Sequence, residues 1–416
     1  MTAELKTRRT LERAARDSCR RLIAFLAVRS QDVALAEDAL ADAFVAALES
    51  WPRTGIPQKP EAWLLTVARC RMTDAARHAR VRAGALPLLL SAADAALELT
   101  DTTQEFPDER LKLLFVCTHP AIDAAARTPL MLQTVLGLDA ARIAAVFLVK
   151  PAAMGQRLSR AKAKIRDARI PYEIPETKDL PERLDAVLEA IYAAYGSGWD
   201  DVAGADAHRR GLHDEALDLG RLLHRLLPAE PEVQGLLALM LHCEGRRTAR
   251  RAADSTYVPL SAQDTAQWSN ALLEEADRLL ASAAGAGRMG RFQLEAAIQS
   301  AHARRRLTGH TDWEAVALLY EGLVRIAPTL GALLGRAAAL AAARGAADAW
   351  ASLSALPPEA IQNYQPYWAL AAHLLKCLGR FDEANAAYGR AIGLCMDPAV
   401  RAFLAQQAAE LQPSVE

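Results

Sequence analysis

The chain has little that would serve catalysis or hold a metal. Its six cysteines (Cys19, Cys70, Cys117, Cys243, Cys377 and Cys395) are scattered, with no CxxC pair and no histidine-rich segment beside them. That spacing suggests neither a zinc site nor a disulfide framework, and the thiols are expected to be packed or idle in a reducing compartment. No GxSxG elbow, HExxH helix, Walker loop or Rossmann glycine fingerprint is present, so no enzyme activity, cofactor or metal is expected. Aromatic residues are only 6% of a composition that is 52% hydrophobic. With alanine and leucine so abundant, that shortage argues for helices over strands, and the expected class is all-α. No apolar run reaches about 18 residues. The N-terminal MTAELKTRRTLERAARD is charged and has no apolar core of the kind a signal peptide needs. A cytoplasmic protein with no membrane partner is expected. The chain also lacks an excess of either charge: its net charge is −1. Any nucleic-acid site must therefore be a local patch.

The 416 residues allow two to four domains, and composition divides them. Residues 9–82 form an arginine-rich helical block interrupted at WPRTGIPQKP (51–60), where three prolines and a glycine oppose continuous helix. Residues 83–106 contain no basic residue and end in a polar Thr/Gln stretch, which reads as a linker with room for one short helix. Residues 107–170 are helical again. After the proline-marked linker 171–183, residues 184–416 read as helix upon helix. Near the end, Trp368, the Gly379-Arg380 turn, Ala384, Tyr388 and Ala391 fall at tetratricopeptide spacing, with weaker echoes at 211–228 and 312–328. A helical solenoid of this kind either binds a peptide in its concave face or simply packs.

One stretch departs from the neutral average. In LDAARIAAVFLV (138–149), Ile143, Ala144, Phe147 and Leu148 form an apolar stripe, and Asp139 is placed to cap the helix. Lys150 then leads to Pro151, which opens a second helix where proline forfeits no hydrogen bond. On that helix Met154, Leu158, Ala161 and Ile165 share the inward face. Two helices joined this tightly predict a helix-turn-helix. From Arg142 to Arg169 eight basic residues face one acid, Asp167. That surplus is the footprint expected for DNA, against the plainer reading of a solvated basic face. Gln156, Arg157 and Arg160 are expected at base edges, and Lys162, Lys164 and Arg166 beside phosphates, with Lys150 on the flank of the same surface.

Upstream, LAEDALADAFVAALESW (35–51) is read with Leu40, Ala43, Phe44, Ala47 and Leu48 on one face and Glu37, Asp38 and Asp42 on the other. EAWLLTVARCRMTDAARHAR (61–80) pairs an apolar stripe (Trp63, Leu64, Val67, Ala68) with Arg69, Arg71, Arg77 and Arg80. These segments resemble region 2 of sigma-70 family sigma factors of the extracytoplasmic-function type. The stretch from DERLKLLFVCTHPAIDAAA to FLVKPAAMGQRLSRAKAKIRDARIP (108–171) resembles region 4. The long helical extension is similar to one subgroup in which a tetratricopeptide-like domain follows region 4. The resemblance implies two small helical sigma modules, a region 2 bundle and a region 4 helix-turn-helix, followed by that α-helical domain. It implies that the acidic helix, with Glu37, Asp38, Asp42 and Phe44, docks on core RNA polymerase. Trp51, Arg53, Arg69, Arg71, Asp74 and Arg77 would open and hold a locally melted −10 element, and the basic helix would read the double-stranded −35 element. The extension would modulate activity through a protein partner or an intramolecular contact.

Two other readings compete. A helix-turn-helix regulator with a peptide-sensing tetratricopeptide domain explains residues 107–416 equally well but leaves the paired helices at 35–80 without a role; a solenoid scaffold is the third possibility. As an enzyme, the chain would need Glu37, Asp38 and Asp42 to form a catalytic cluster, where an exposed acidic face is the simpler reading. His119, His302 and His310 have no ligand-spaced partners, and GAGRMGRF (285–292) follows no strand and reads as a turn.

Overall fold

Alanine and leucine at helical spacing dominate the chain, and in the computed structural model every regular element of the described residues is a helix; one isolated bridge, Arg251 to Tyr257, is the only strand-like pairing among them. The structure describes residues 3–78, 108–147, 149–176, 178–199 and 212–411. The expected linker 83–106 lies outside these residues. Among the described residues no helix is long and apolar enough to cross a membrane. Two compact units divide the chain, Met1–Ala194 and Tyr195–Glu416.

The first unit begins with α1 (Ala3–Asp17), α2 (Cys19–Ser30), α3 (Val33–Thr54) and α4 (Pro60–His78). Asp32 starts α3 by accepting from the Ala34 and Leu35 backbone N–H groups at 2.9 and 3.1 Å, a cap that contributes about 1 kcal/mol. The helix then runs through Pro52 and stops at Gly55, whose φ of +93° suits glycine. The interruption expected over 51–60 is thus confined to residues 55–59. Proline is tolerated this close to the C-terminal end because it removes one backbone donor and little helix remains to be broken. The consequence falls on Trp51, which sits in α3 and is 1% exposed, packed edge-on against the equally buried Trp63 of α4 with centroids 5.4 Å apart.

Residues 108–171 supply α5 (Arg110–Cys117), α6 (Ala124–Thr134), α7 (Ala140–Val146) and α8 (Pro151–Asp167). Asp123 and Asp139 cap α6 and α7 through Ala125 N at 2.9 Å and Arg142 N at 2.8 Å. The segment after α8 is no free tether. Ile170 and Tyr172 are buried, and burial beside Cys117 and Asp32 holds the Tyr172 phenol well above its ordinary range. Next comes α9 (Leu180–Trp199), whose Arg183 donates to the Phe115 carbonyl, so its first turns pack on α5. The boundary between the units falls inside this helix, later than the composition break at 183.

The second unit continues with α10 (Leu212–Leu226), α11 (Pro231–Glu244), α12 (Asn270–Gly285), α13 (Arg291–Ala303), α14 (Arg305–Thr308), α15 (Trp313–Ile326), α16 (Leu330–Arg344), α17 (Ala346–Ser354), α18 (Pro358–Ile361), α19 (Gln365–Cys377), α20 (Phe381–Leu394) and α21 (Pro398–Ala409). The Trp368–Ala391 stretch forms the hairpin its spacing predicts. Gly379 turns with φ +74°, and Ala384, Tyr388 and Ala391 are buried between α19 and α20. Gly285–Phe292 is a turn between α12 and α13, as expected. YGSGW (195–199) continues α9, with the Tyr195 hydroxyl donating to the Met240 carbonyl at 3.1 Å.

One connection is unlike the others. Between α11 and α12 the chain spends residues 245–269 in three short 3-10 turns and extended backbone, a length that in a compact domain usually marks function. Arg251 from this strap pairs with Asp397, the cap of α21, and Tyr257 stacks edge-on with Phe403 at 5.4 Å. The strap therefore bridges helices far apart in sequence.

Candidate nucleic-acid interface

Helical spacing fixes what α8 can show to solvent. Met154, Leu158, Ala161 and Ile165 are all buried, at most 6% exposed. Gln156, Ser159, Arg160, Lys164 and Arg166 are exposed. Lys150 is the residue before Pro151, exposed and in extended backbone. Arg166 pairs with its neighbour Asp167 at 3.0 Å. Ser159 is a polar residue on the open face that sequence reasoning passed over; the same four-residue arithmetic that assigned Leu158 inward would have found it.

Two expected contacts of this helix are placed elsewhere. Arg157 is half-buried and its guanidinium lies 3.5 Å from the Ala125 carbonyl at the start of α6. Lys162 does not stand in the solvent-facing row: its side chain is 12% exposed and its Nζ donates to Glu37 Oε2 of α3 at 2.5 Å. In this conformation it is held as an interhelical cation. The Arg20 guanidinium makes a second tie by donating to the Gly137 carbonyl at 3.1 Å. Gly137 has φ +80°, an angle that favours glycine, and a Cβ there would meet that guanidinium at 1.9 Å and displace it from this tie. Beneath the pair, Cys117 Sγ lies 3.0 Å from Thr134 Oγ1, and complete burial pushes its thiol up to about 12. This cysteine is packed, as its isolation in the sequence suggested.

The acidic helix is acidic on part of its outer face only. Asp38 and Asp42 are exposed, whereas Glu37 is engaged by Lys162. Phe44 is half-buried. Leu48, expected in the core, is 51% exposed, and Val45 is 54% exposed. The outer face of α3 is therefore a mixed strip of carboxylates and aliphatic side chains. Such a strip suits a protein partner better than a polyanion, which the carboxylates would repel.

The expected single-strand surface is altered at one residue. Trp51 is core and cannot stack on a base while α3 and α4 remain packed. Arg53 is exposed beyond it, with Nε 3.3 Å from the Glu49 carbonyl. On α4, Arg69 is exposed and Arg71 half-buried, while Trp63, Leu64, Val67 and Ala68 are buried as their spacing predicts. Asp74 and Arg77 belong to the last turns of α4, and their side chains lie outside those described. His119 accepts from the Ala121 N–H through Nδ1 at 3.1 Å, a local turn contact and no ligand set.

Comparison with known proteins adds three findings. Residues 14–82 match the model of Sigma-70 region 2. Residues 183–284 match a family of unknown function, DUF6596. An uncharacterized protein of Rhizobium meliloti (strain 1021) is 41% identical over 378 residues, covering 90% of this chain and 89% of its own. No solved structure matches.

Proposed function

We propose that this protein, whose residues 14–82 match Sigma-70 region 2, is a sigma-70 family promoter-specificity subunit of the extracytoplasmic-function type. Sigma-70 proteins are transcription factors and not enzymes, and region 2 implies dealings with core RNA polymerase and promoter DNA. In our reading the polymerase docks on the outer strip of α3, where Asp38 and Asp42 supply charge and Val45 and Leu48 supply apolar area. Arg53, Arg69 and Arg71, with Asp74 and Arg77 further along α4, hold the melted −10 strand. Trp51 contributes by fixing the α3–α4 angle.

The α7–α8 pair acts as the helix-turn-helix for the −35 element. Gln156 and Arg160 reach base edges with Ser159 beside them, and Lys150, Lys164 and Arg166 line the backbone. Arg157 and Lys162 join them once the contacts to Ala125 and Glu37 are released. The single observation that carries this reading is the opposition of surfaces in one unit: a basic, polar face on α8 and an acidic, aliphatic strip on α3, within a chain whose net charge is −1. The tetratricopeptide-like second unit is the modulating part.

Binding of purified core RNA polymerase tests the docking half. Wild type should bind with a submicromolar Kd, and Asp38→Ala/Asp42→Ala should weaken it at least about tenfold, a change of some 1.4 kcal/mol. Equal affinity for both would remove α3 from the interface.

A further inference from the structure

The second unit holds a cavity of about 560 Å³, within the range of small-molecule sites. It is bounded by the strap at Leu260 and Ser261, by the junction of α13 and α14, by the start of α15, and by α16, the first residue of α17 and α19. Its walls are mostly apolar: Leu370 and Leu374 of α19, the indole of Trp313, and alanines of α16 whose small side chains leave the space open.

The polar lining comprises Arg305, His302 and His373, with Ser261, Thr311 and Cys377. No carboxylate lines the cavity among the described residues. Arg305 does, held in place by donating from Nη1 to the Ser261 carbonyl at 2.5 Å and from Nη2 to the Gln263 carbonyl at 2.6 Å, beside the Trp268 ring. Two of its five N–H groups are thereby used. His302 is 9% exposed and packs edge-on against Trp313 at 5.3 Å, yet its ring makes no hydrogen bond among the described residues. Burial and the nearby Arg246 and Arg305 keep the ring neutral at pH 7, so it offers one donor and one acceptor.

We propose that this cavity is a binding site for a small organic carboxylate with an apolar body, its carboxylate on Arg305 and His302 and its hydrocarbon against Trp313, Leu370 and Leu374. A guanidinium without a neighbouring acid suits a carboxylate, and the apolar wall suits the remainder of such a molecule. Because the strap, α14, α16 and α19 all contribute, occupancy stiffens the unit around the ligand. The inference concerns the second unit alone and does not depend on the sigma reading.

Isothermal titration of the full-length protein with 2-naphthoate and with decanoate, using the corresponding amides as uncharged controls, tests it. At least one acid should bind saturably, at least about tenfold tighter than its amide, and raise the Tm. Arg305→Gln should erase the preference for the acid. Since that change also frees the strap, Ala338→Phe is the second variant. Ala338 is exposed on α16 and lines the cavity, so the bulk fills the site without disturbing the core. Its Tm without ligand should match wild type while binding is lost. Saturable binding by neither acid, equal binding of acid and amide, or undiminished binding to Ala338→Phe would each overturn the proposal.

Discussion

Lys162 of α8 and Glu37 of α3, 125 positions apart in the chain, meet at 2.5 Å with side chains 12% and 25% exposed. This pair joins the module proposed for the −10 element to the one proposed for −35. Those elements lie about 25 base pairs apart, roughly 85 Å at 3.4 Å per pair, so modules in direct contact cannot occupy both at once. On the proposed promoter reading, the contact belongs to a closed form that opens before both elements are bound. Glu37→Gln should lengthen the distance between dyes placed on α3 and α8 and strengthen binding to a −35 duplex in the absence of polymerase. An unchanged distance would mean that the rest of the interface holds the modules together by itself.

The same pair has an energetic signature. Removing one member of a largely buried ion pair strands the other and costs about 3–5 kcal/mol, whereas replacing both by apolar residues is close to neutral. Lys162→Met should therefore lower the unfolding free energy of the first unit, and adding Glu37→Met should recover much of it. Additive losses in urea titrations would mean that the two charges are independently solvated.

Trp51 is predicted to act through stability and not through DNA. Its 1% exposure and edge-on contact with Trp63 put Trp51→Ala at about 3–5 kcal/mol of destabilisation. Trp51→Phe should keep most of the fold and leave −10 strand affinity within a small factor. A large, selective loss of single-strand binding in a folded Trp51→Phe protein would return the residue to the DNA surface.

On α8 the exposed residues should divide by position. Arg160→Ala should relax preference at individual −35 bases, with about 1–3 kcal/mol of discrimination lost. Lys164→Ala should weaken all duplexes alike and flatten the salt dependence by about one counterion. Identical behaviour of both variants on every sequence would contradict the assignment of base and phosphate roles.

Acid should destabilise the second unit. Burial first, with Arg246 and Arg306, lowers His242 to about 4 against the opposing pull of Asp277. Burial, with Arg246 and Arg305, lowers His302 to about 4. Both rings are neutral when folded and take up a proton near pH 6.5 when unfolded, so the unfolded chain binds more protons between those values. Stability is therefore full above about pH 6.5 and falls as pH drops toward 4, by an amount on the order of 3 kcal/mol per histidine. Below that both states are protonated and the slope vanishes. His302→Phe should flatten the Tm–pH curve in this window; an unaltered slope would show that His302 is already charged in the folded protein.

Much of the all-α architecture was legible in spacing alone. The inward row of α8, the Asp139 cap, the Pro151 start and the Gly379 hairpin follow from local chemistry, which the sequence carries at each position. What it did not carry was contact at long range. Glu37 and Lys162 each read as free surface charge because neither has a local reason to be buried. The proline at 52 read as a break because composition does not tell how much helix remains beyond it. Leu48 read as core because an apolar residue at helical spacing looks the same whether its face meets another helix or is left open. Likewise the cavity beneath the strap is built from segments between residues 260 and 377, a convergence that no single stretch announces.

Run-off transcription with purified core RNA polymerase, on fragments from upstream of the gene, asks whether the protein directs initiation. A discrete start site that requires the protein, and that disappears with Asp38→Ala/Asp42→Ala, is the predicted result. No protein-dependent start on any fragment, together with ordinary double-stranded DNA binding by the protein alone, would contradict the sigma reading and point to a conventional regulator.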